Sequence, residues 1–365
     1  MPTELLDESI ALIPRRKIKA LLKDPVKTAE AVNLVYMNDT VEGIERRKKG
    51  ETFEYYYKGK KIKDAETLVR IKSLVLPPAW QNIWISPREN SHLQATGIDA
   101  KGRKQYKYHP SWNAFRNHTK FYRLYAFGQV IPSLRMKIEK DLSLNGLQEN
   151  KVLATVVSLM ERTNIRVGNC TYEKANGSYG ITTLKDQHVE IKGNSIKFAF
   201  KGKKGVQHDI DLKSKKLAKI VKQCQDIPGK ELFQYFDENG VTRTIDSGMV
   251  NDYIKENTGG DFTAKDLRTW SGTVQALLAF KELGLAESQN QTKKNIVSAL
   301  DSVSKALGNT RTVCKKYYVH PMIIGLYETK TLERYLKQLD KIEVDDNKSG
   351  LTKEETILLN ILKSN

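Results

Sequence analysis

Two adjacent tyrosines, Tyr317 and Tyr318, lie near the end of a basic stretch, "NTRTVCKKYYVHP", that runs from Asn309 to Pro321. A phenol becomes a nucleophile as its proton leaves, and with an ordinary pKa of about 10 it needs cations nearby to ease that loss. Three other stretches carry suitable cations: Arg166 in "TNIRVGN", Lys203 and Lys204 in "KGKKG", and Lys265 with Arg268 in "KDLRTW". Each has an ordinary structural use by itself, as a helix end, a solvated turn or a helix start. Asn309, which follows a Leu-Gly pair, reads as a helix N-cap. The chain has no GxxxxGK[ST], HExxH or GxSxG motif, and no acidic residues spaced like a two-metal nuclease site. The sequence therefore gives no support for nucleotide or metal use. Work on a phosphate would fall to cations and a side-chain nucleophile, and spacing alone does not choose between the two tyrosines.

The elements that must position these groups show in the hydrophobic periodicity. "KVLATVVSLMERTNIRVGN" reads as one long amphipathic helix ending near Gly168, with Arg166 at its end. "YGITTL", "HVEIKG", "SIKFAF" and "VQHDIDL" alternate with a period of two. They predict a three- or four-stranded antiparallel insert whose last turn, "KGKKG", holds Lys203 and Lys204 at a hairpin tip. Helices are expected over 213–224, 247–257, 263–283 and 291–307, with a short one after Asn309. Further helices are expected in the tail at "LERYLKQL" and "EETILLNIL", joined by an acidic "EVDDNKSG" linker. Upstream, 1–36 reads as helical, broken by Pro14 and Pro25. From about Val41 to Pro110 the texture is that of a small β-rich lobe, with a hairpin at "TFEYYYKGKKIK" and short strands at "NIWISP" and "HLQATGID".

Charge points to the partner. Lys and Arg number 61 against 43 Asp and Glu in 365 residues, a net +18. The excess is clustered: no acidic residue occurs between Asp99 and Glu139, a segment that holds Arg103, Lys104, Arg116 and Lys120 interleaved with Tyr106 and Tyr108. Cations neutralise phosphates while rings and amides meet sugars and base edges, so nucleic acid is the first reading. A membrane surface fits worse, because these cations alternate with turns instead of lining one helical face. The aromatic residues from Phe115 onward are expected in the core. Cys170, Cys224 and Cys314 form no CxxC pair, which argues against a disulfide framework or a zinc site and for a reducing compartment. The start "MPTELLDESI" lacks the pattern of a signal peptide and no apolar run is long enough to span a bilayer. A cytoplasmic location is expected, with the nucleoid as the site if the source is bacterial.

Taken together and in order, "RVGN", "FKGKKGVQH", "KDLRTW" and "LGNTRTVCKKYYVHP" resemble the active-site motifs of type IB DNA topoisomerases. "PPAWQNIWI", "GIDAKGRKQYKYHP" and "TKFYRLYAF" resemble the amino-terminal DNA-clamp lobe of the same family, in its compact bacterial and poxvirus-like branch. The likeness spans roughly Val41 to Leu326. It implies an α+β fold: a β-rich lobe at 41–118, a larger and mainly helical catalytic lobe at 119–330 with an antiparallel insert, and the two closing as a clamp around duplex DNA. Flanking helical pieces would be 1–40 and 331–365.

The resemblance also implies roles. Tyr318, nine positions after Asn309, would be the nucleophile, giving a 3′-phosphotyrosyl intermediate. Arg166, Arg268 and Asn309 would hold the phosphate, Lys203 would be the general acid, and Lys265 a second contributor to proton transfer. Arg103, Lys104, Gln105, Tyr106, Tyr108, Arg116, Lys120 and Tyr172 would touch DNA. The implied protein is a monomer that relaxes double-stranded DNA with no cofactor, ATP or metal. Some relatives carry histidine where this chain has Asn309, so a neutral donor role survives here and a charged one does not. Two rivals are a tyrosine recombinase, which usually has histidine where Lys265 stands, and a non-catalytic DNA-binding protein, for which the basic segment alone would suffice.

Overall fold

The computed structural model describes residues 24–99, 104–119, 121–169, 173, 176–340 and 350–364. The chain divides into two compact units at Arg123/Leu124. Of the helical stretch expected over 1–36, the part before residue 24 lies outside the described residues, 25–30 is helical and 31–36 is not; the acidic linker at 341–349 also lies outside the described residues.

The first unit opens with α1 (Pro25–Glu30), whose Pro25 occupies the first turn while the Asp24 carboxylate accepts from the Val26 and Lys27 amides. A six-stranded antiparallel sheet follows, built from β1 (Ile44–Lys49), β2 (Thr52–Tyr57), β3 (Lys60–Lys61), β4 (Gln81–Ile85), β5 (Leu93–Ile98) and β6 (Lys104–Tyr108), in the order β3-β2-β1-β4-β5-β6. The expected hairpin is β2–β3, and the two expected short strands are β4 and β5. Between β3 and β4 runs α2 (Ala65–Ser73), which lays Ile71 against Ile44, Ile83, Ile85 and Ala95. A second small core joins Ala29, Val32 and Leu34 to Trp112 and Phe115 of α3 (Pro110–Thr119). Phe115 is buried as expected, and so is Trp112, which precedes the expected change to core.

The second unit starts within α4 (Tyr122–Asp141) and is built around α5 (Glu149–Thr163). This helix is buried on every side, with Lys151, Thr155 and Ser158 sequestered beside Val152, Val156 and Leu159. The helix expected as amphipathic is therefore a central one. It also stops earlier, because Asn164 takes a left-handed φ of 57°. Arg166 consequently lies on an irregular segment beyond the helix. "YGITTL" is not a strand: Ile181–Thr183 makes a single 3₁₀ turn.

The insert is three strands in sequential order, β7 (Val189–Lys192), β8 (Ser195–Lys201) and β9 (Gln207–Lys213). Ile196, Phe198 and Phe200 point inward from β8, and the "KGKKG" turn joins β8 to β9 as expected. Next come α6 (Lys215–Gln225), the two-stranded β10 (Gln234–Phe236) and β11 (Thr242–Thr244), and α7 (Ser247–Thr258). The remaining helices are α8 (Ala264–Leu283), α9 (Gln289–Leu307), α10 (Arg311–Tyr317), α11 (Pro321–Glu328), α12 (Glu333–Asp340) and α13 (Lys353–Ser364). Each expected helix between 213 and 307 is present.

The tail helix α13 is tied into this unit by a buried carboxylate. Glu355 accepts from both terminal nitrogens of Arg135 at 2.8 Å, from Trp270 Nε1 at 2.9 Å and from the Thr352 amide at 2.8 Å. Arg135 also donates to Glu161 at 2.7 Å. One guanidinium thus bridges a buried carboxylate, Glu355, and a partly buried one, Glu161.

Candidate active site

Four separate segments of the second unit meet at one place. The first is the strand-like stretch after α5, anchored by the Ile181 and Thr182 amides, which donate to the Arg166 and Val167 carbonyls at 2.8 and 2.9 Å. From it Arg166 reaches the loop between α9 and α10, donating to the Gly308 carbonyl at 3.0 Å and to Asn309 Oδ1 at 2.6 Å. The second segment is the first part of α8, which presents Arg268. Arg268 as a whole is 5% exposed, and its guanidinium donates to the Leu307 carbonyl at 2.8 Å and to the Asn164 carbonyl.

Main-chain carbonyls and one amide hold both arginines, and no carboxylate among the described residues pairs with either. Their charge therefore stays available. The electrostatics agree: burial, then the neighbouring Arg166, push the Arg268 guanidinium down to about 10, with the Tyr318 phenol acting the other way. Burial likewise lowers Arg166.

The loop itself corrects one expectation. The N-cap of α10 is Thr310, whose hydroxyl accepts from the Val313 amide, and not Asn309. With capping done by its neighbour, Asn309 is free to turn its amide inward. Its oxygen is committed to Arg166, which leaves Nδ2 buried with no partner. Arg268 Nε is in the same condition. Four buried side-chain polar atoms among the described residues lack a partner, and two of them are these site donors. A buried donor left unmade costs about 1–3 kcal/mol, so a paired orphanage at one spot marks a place for an acceptor.

Tyr318 closes α10 and stands with its ring centroid 5.3 Å from Arg268 Cζ. Its backbone is fixed on three sides. Its amide donates to the Cys314 carbonyl at 2.9 Å, its carbonyl accepts from Thr273 Oγ1 at 3.2 Å, and α8 comes so close that a methyl on Gly272 would lie 2.8 Å from the Tyr318 oxygen. Tyr317 instead carries Lys316 Nζ over its ring at 5.7 Å. The Tyr318 ring is the one shown to face the Arg268 guanidinium.

Lys203 sits on the exposed turn after β8, where Lys204 is left-handed at φ 63°. It lines a cavity of about 600 Å³ together with Arg166, Tyr179, Lys201 and Lys204. Lys265 lies exposed on the first turn of α8, and the cavity lining does not include it. His208 is a site residue that reading the sequence missed. It pairs across the hairpin with Phe200, stacks on that ring at 4.9 Å, and feels both Arg166 and Arg268. Counting the register back from the "KGKKG" turn was the signal that could have found it.

The expected DNA contacts belong to the first unit, apart from Tyr172. On β6, Lys104 pairs with Asp39 at 2.6 Å, Gln105 donates to Asp99 at 2.9 Å, and the Tyr106 and Tyr108 rings stack at 6.0 Å. Tyr106 is half exposed, Tyr108 is partly buried, and Arg116 is exposed on α3. Arg103, Lys120 and Tyr172 lie outside the described residues. Among the described residues no helix is long and apolar enough to cross a membrane.

A tyrosine set against carboxylate-free guanidiniums, with spare donors and an open cationic cavity lined by one of those guanidiniums, Arg166, is equipment for moving a phosphodiester by way of a phenol. Comparison with known proteins narrows that class. Residues 109–345 match the model of the eukaryotic DNA topoisomerase I catalytic core, and 52–99 match that of the bacterial DNA topoisomerase IB N-terminal domain. The chain is 35% identical over 296 residues to DNA topoisomerase 1B of Acanthamoeba polyphaga mimivirus, covering 79% of this chain and 88% of that protein. It is 26% identical over 261 residues to DNA topoisomerase 1B of Vaccinia virus (strain Copenhagen), covering 70% of this chain and 78% of the relative. A match to DNA topoisomerase 1 of Mycosarcoma maydis, 23% identical, takes in only 24% of that much longer protein. The chain belongs to the type IB DNA topoisomerase family.

Proposed function

We propose that this chain relaxes supercoiled duplex DNA through a transient break in one strand, with Tyr318 as the nucleophile. Family membership supports the reaction, and the two orphaned donors beside Tyr318 support the placing of the phosphate. The phenolic oxygen attacks phosphorus, the bond to the 5′-oxygen breaks, and the strand is left as a 3′-phosphotyrosyl end and a 5′-hydroxyl end. Charge gathers on the non-bridging oxygens in the transition state. Arg166, Arg268 Nε and Asn309 Nδ2 meet it with fixed donors, which need little rearrangement as the bond forms.

The departing 5′-oxygen needs a proton, and Lys203 provides it; an arginine holds its proton too tightly for that task. Lys203 is preferred to Lys265 because it shares a cavity with Arg166. While the strand is open, torsion drives rotation about the intact strand. The 5′-hydroxyl then attacks the phosphotyrosine and restores both the DNA and the phenol. The covalent link conserves the energy of the broken ester, so the cycle calls for no ATP. All the proposed groups come from one chain, which supports a monomer.

The test is a denaturing gel of protein trapped on a duplex labelled at the 5′ end of the scissile strand. Wild type should carry label covalently, Tyr317→Phe should do the same, and Tyr318→Phe should carry none while still binding duplex. Adduct formation that survives Tyr318→Phe would refute the assignment.

A further inference from the structure

One ring at the site joins two loops that the reaction needs to keep in step. A methyl placed on Gly202 would lie 2.6 Å from both Cδ2 and Nε2 of His208, and a methyl placed on Gly308 would lie 2.6 Å from Cε1 of the same ring. Gly202 immediately precedes Lys203, and Gly308 immediately precedes Asn309. The imidazole therefore fills the space between the base of the lysine turn and the loop that carries the phosphate donor.

Its third side is fixed by Phe200, on which it stacks with an interplanar angle of 18°. Phe200 and His208 are direct cross-strand partners, and such pairs share a face of the sheet. The turn beyond them is short: the Gly202 amide donates to the Val206 carbonyl at 2.7 Å, and residues 203–206 are exposed.

We propose that His208 is a positioning residue that keys the Lys203 turn to the Asn309 loop, so that the ammonium is held over the departing 5′-oxygen. The inference rests on Lys203 being the general acid. The ring acts by shape, as a flat body between two backbones that approach closely only because both lack a Cβ. Burial and the guanidiniums of Arg166 and Arg268 lower the imidazole's affinity for a proton, which suits a neutral spacer among cations.

The experiment separates positioning of the acid from general damage by changing the leaving group. Single-turnover cleavage is measured on a duplex with an ordinary phosphodiester and on one whose bridging 5′-oxygen is replaced by sulfur. A thiolate leaves without needing a proton. His208→Ala should slow cleavage of the oxygen ester by about 10²-fold or more, the usual worth of a placed proton donor. It should cleave the sulfur ester at the wild-type rate. His208→Phe, which keeps a flat ring on Phe200, should restore most of the loss on the oxygen ester.

Gly202→Ala provides a second approach should His208→Ala not fold. It pushes the same ring from the hairpin side at a position of ordinary φ (−89°) and should give the same oxygen-specific defect. Equal slowing on both esters, or wild-type rates for His208→Ala and Gly202→Ala on the oxygen ester, would overturn the proposal. Failure of the parent reading looks different: Lys203→Ala would then be slowed equally on both esters, or wild-type protein would give no Tyr318 adduct on either substrate.

Discussion

At the scale of single residues, the site is a set of donors kept unsatisfied. Asn309→Ala deletes the spare amide donor at the proposed phosphate position and also removes the acceptor for Arg166. Losing one transition-state donor should lower the cleavage rate by about 10²–10³-fold with little change in non-covalent duplex affinity, measured by rapid-quench and filter binding. Arg268→Lys should be as severe, since an ammonium cannot keep two carbonyl contacts and still offer a third nitrogen. The identities of these residues were legible in the sequence, because residue types and motif order survive without coordinates. Their states were not. Asn309 looked like a cap, yet Thr310 does that work, and only the fold shows the amide turned inward. His208 escaped notice because its significance lies in what it touches across a turn, and no motif records that.

At the scale of elements, α8 organises the site from two ends. It carries Arg268 into the candidate site, and two residues later Trp270 donates to Glu355 of the tail helix. Burial alone would raise the Glu355 carboxyl, but Arg135 and the donors at Thr352 and Trp270 outweigh it and hold it below the usual carboxylate range. A folded-state value below the unfolded one gives stability that is present above the unfolded value and fades as pH falls through the folded one. Glu355→Gln should thus lower the melting temperature at pH 7 and converge with wild type only at acid pH below the ordinary glutamate range, where the folded wild-type carboxyl also takes up its proton.

A second element-level outcome concerns thiols. Burial pushes Cys314 up to about 11 and Cys224 up to about 12. Neither should be alkylated in the native protein at neutral pH, which peptide mapping after iodoacetamide will show. Helix periodicity made α6 to α9 readable in advance. The end of α5 was not, because the stop is a left-handed Asn164 with no glycine or proline at that point to announce it. "YGITTL" misled for a related reason: alternation is a period that a short buried 3₁₀ turn can also satisfy.

At the scale of the whole molecule, the +18 charge sets how DNA is held. Binding should weaken linearly with salt on logarithmic axes, with a slope of about −0.9 per phosphate neutralised. If Arg116 makes one such contact, Arg116→Ala should flatten that slope by about one contact and leave cleavage at saturating DNA unchanged, which titrations at several salt concentrations will read. The charge balance was fully legible in composition, and the acid-free run from 99 to 139 located part of it. How that run divides between β6, α3 and α4 was not, since one stretch of basic residues is compatible with strand and helix alike.

The way the two guanidiniums are tethered has a consequence for inhibition. Dipoles, not counter-ions, fix them in place, so the cradle they form should favour small tetrahedral oxyanions. Sulfate should compete for it over and above the general screening exerted by chloride at matched ionic strength. The excess should disappear in protein whose Asn309 amide has been removed.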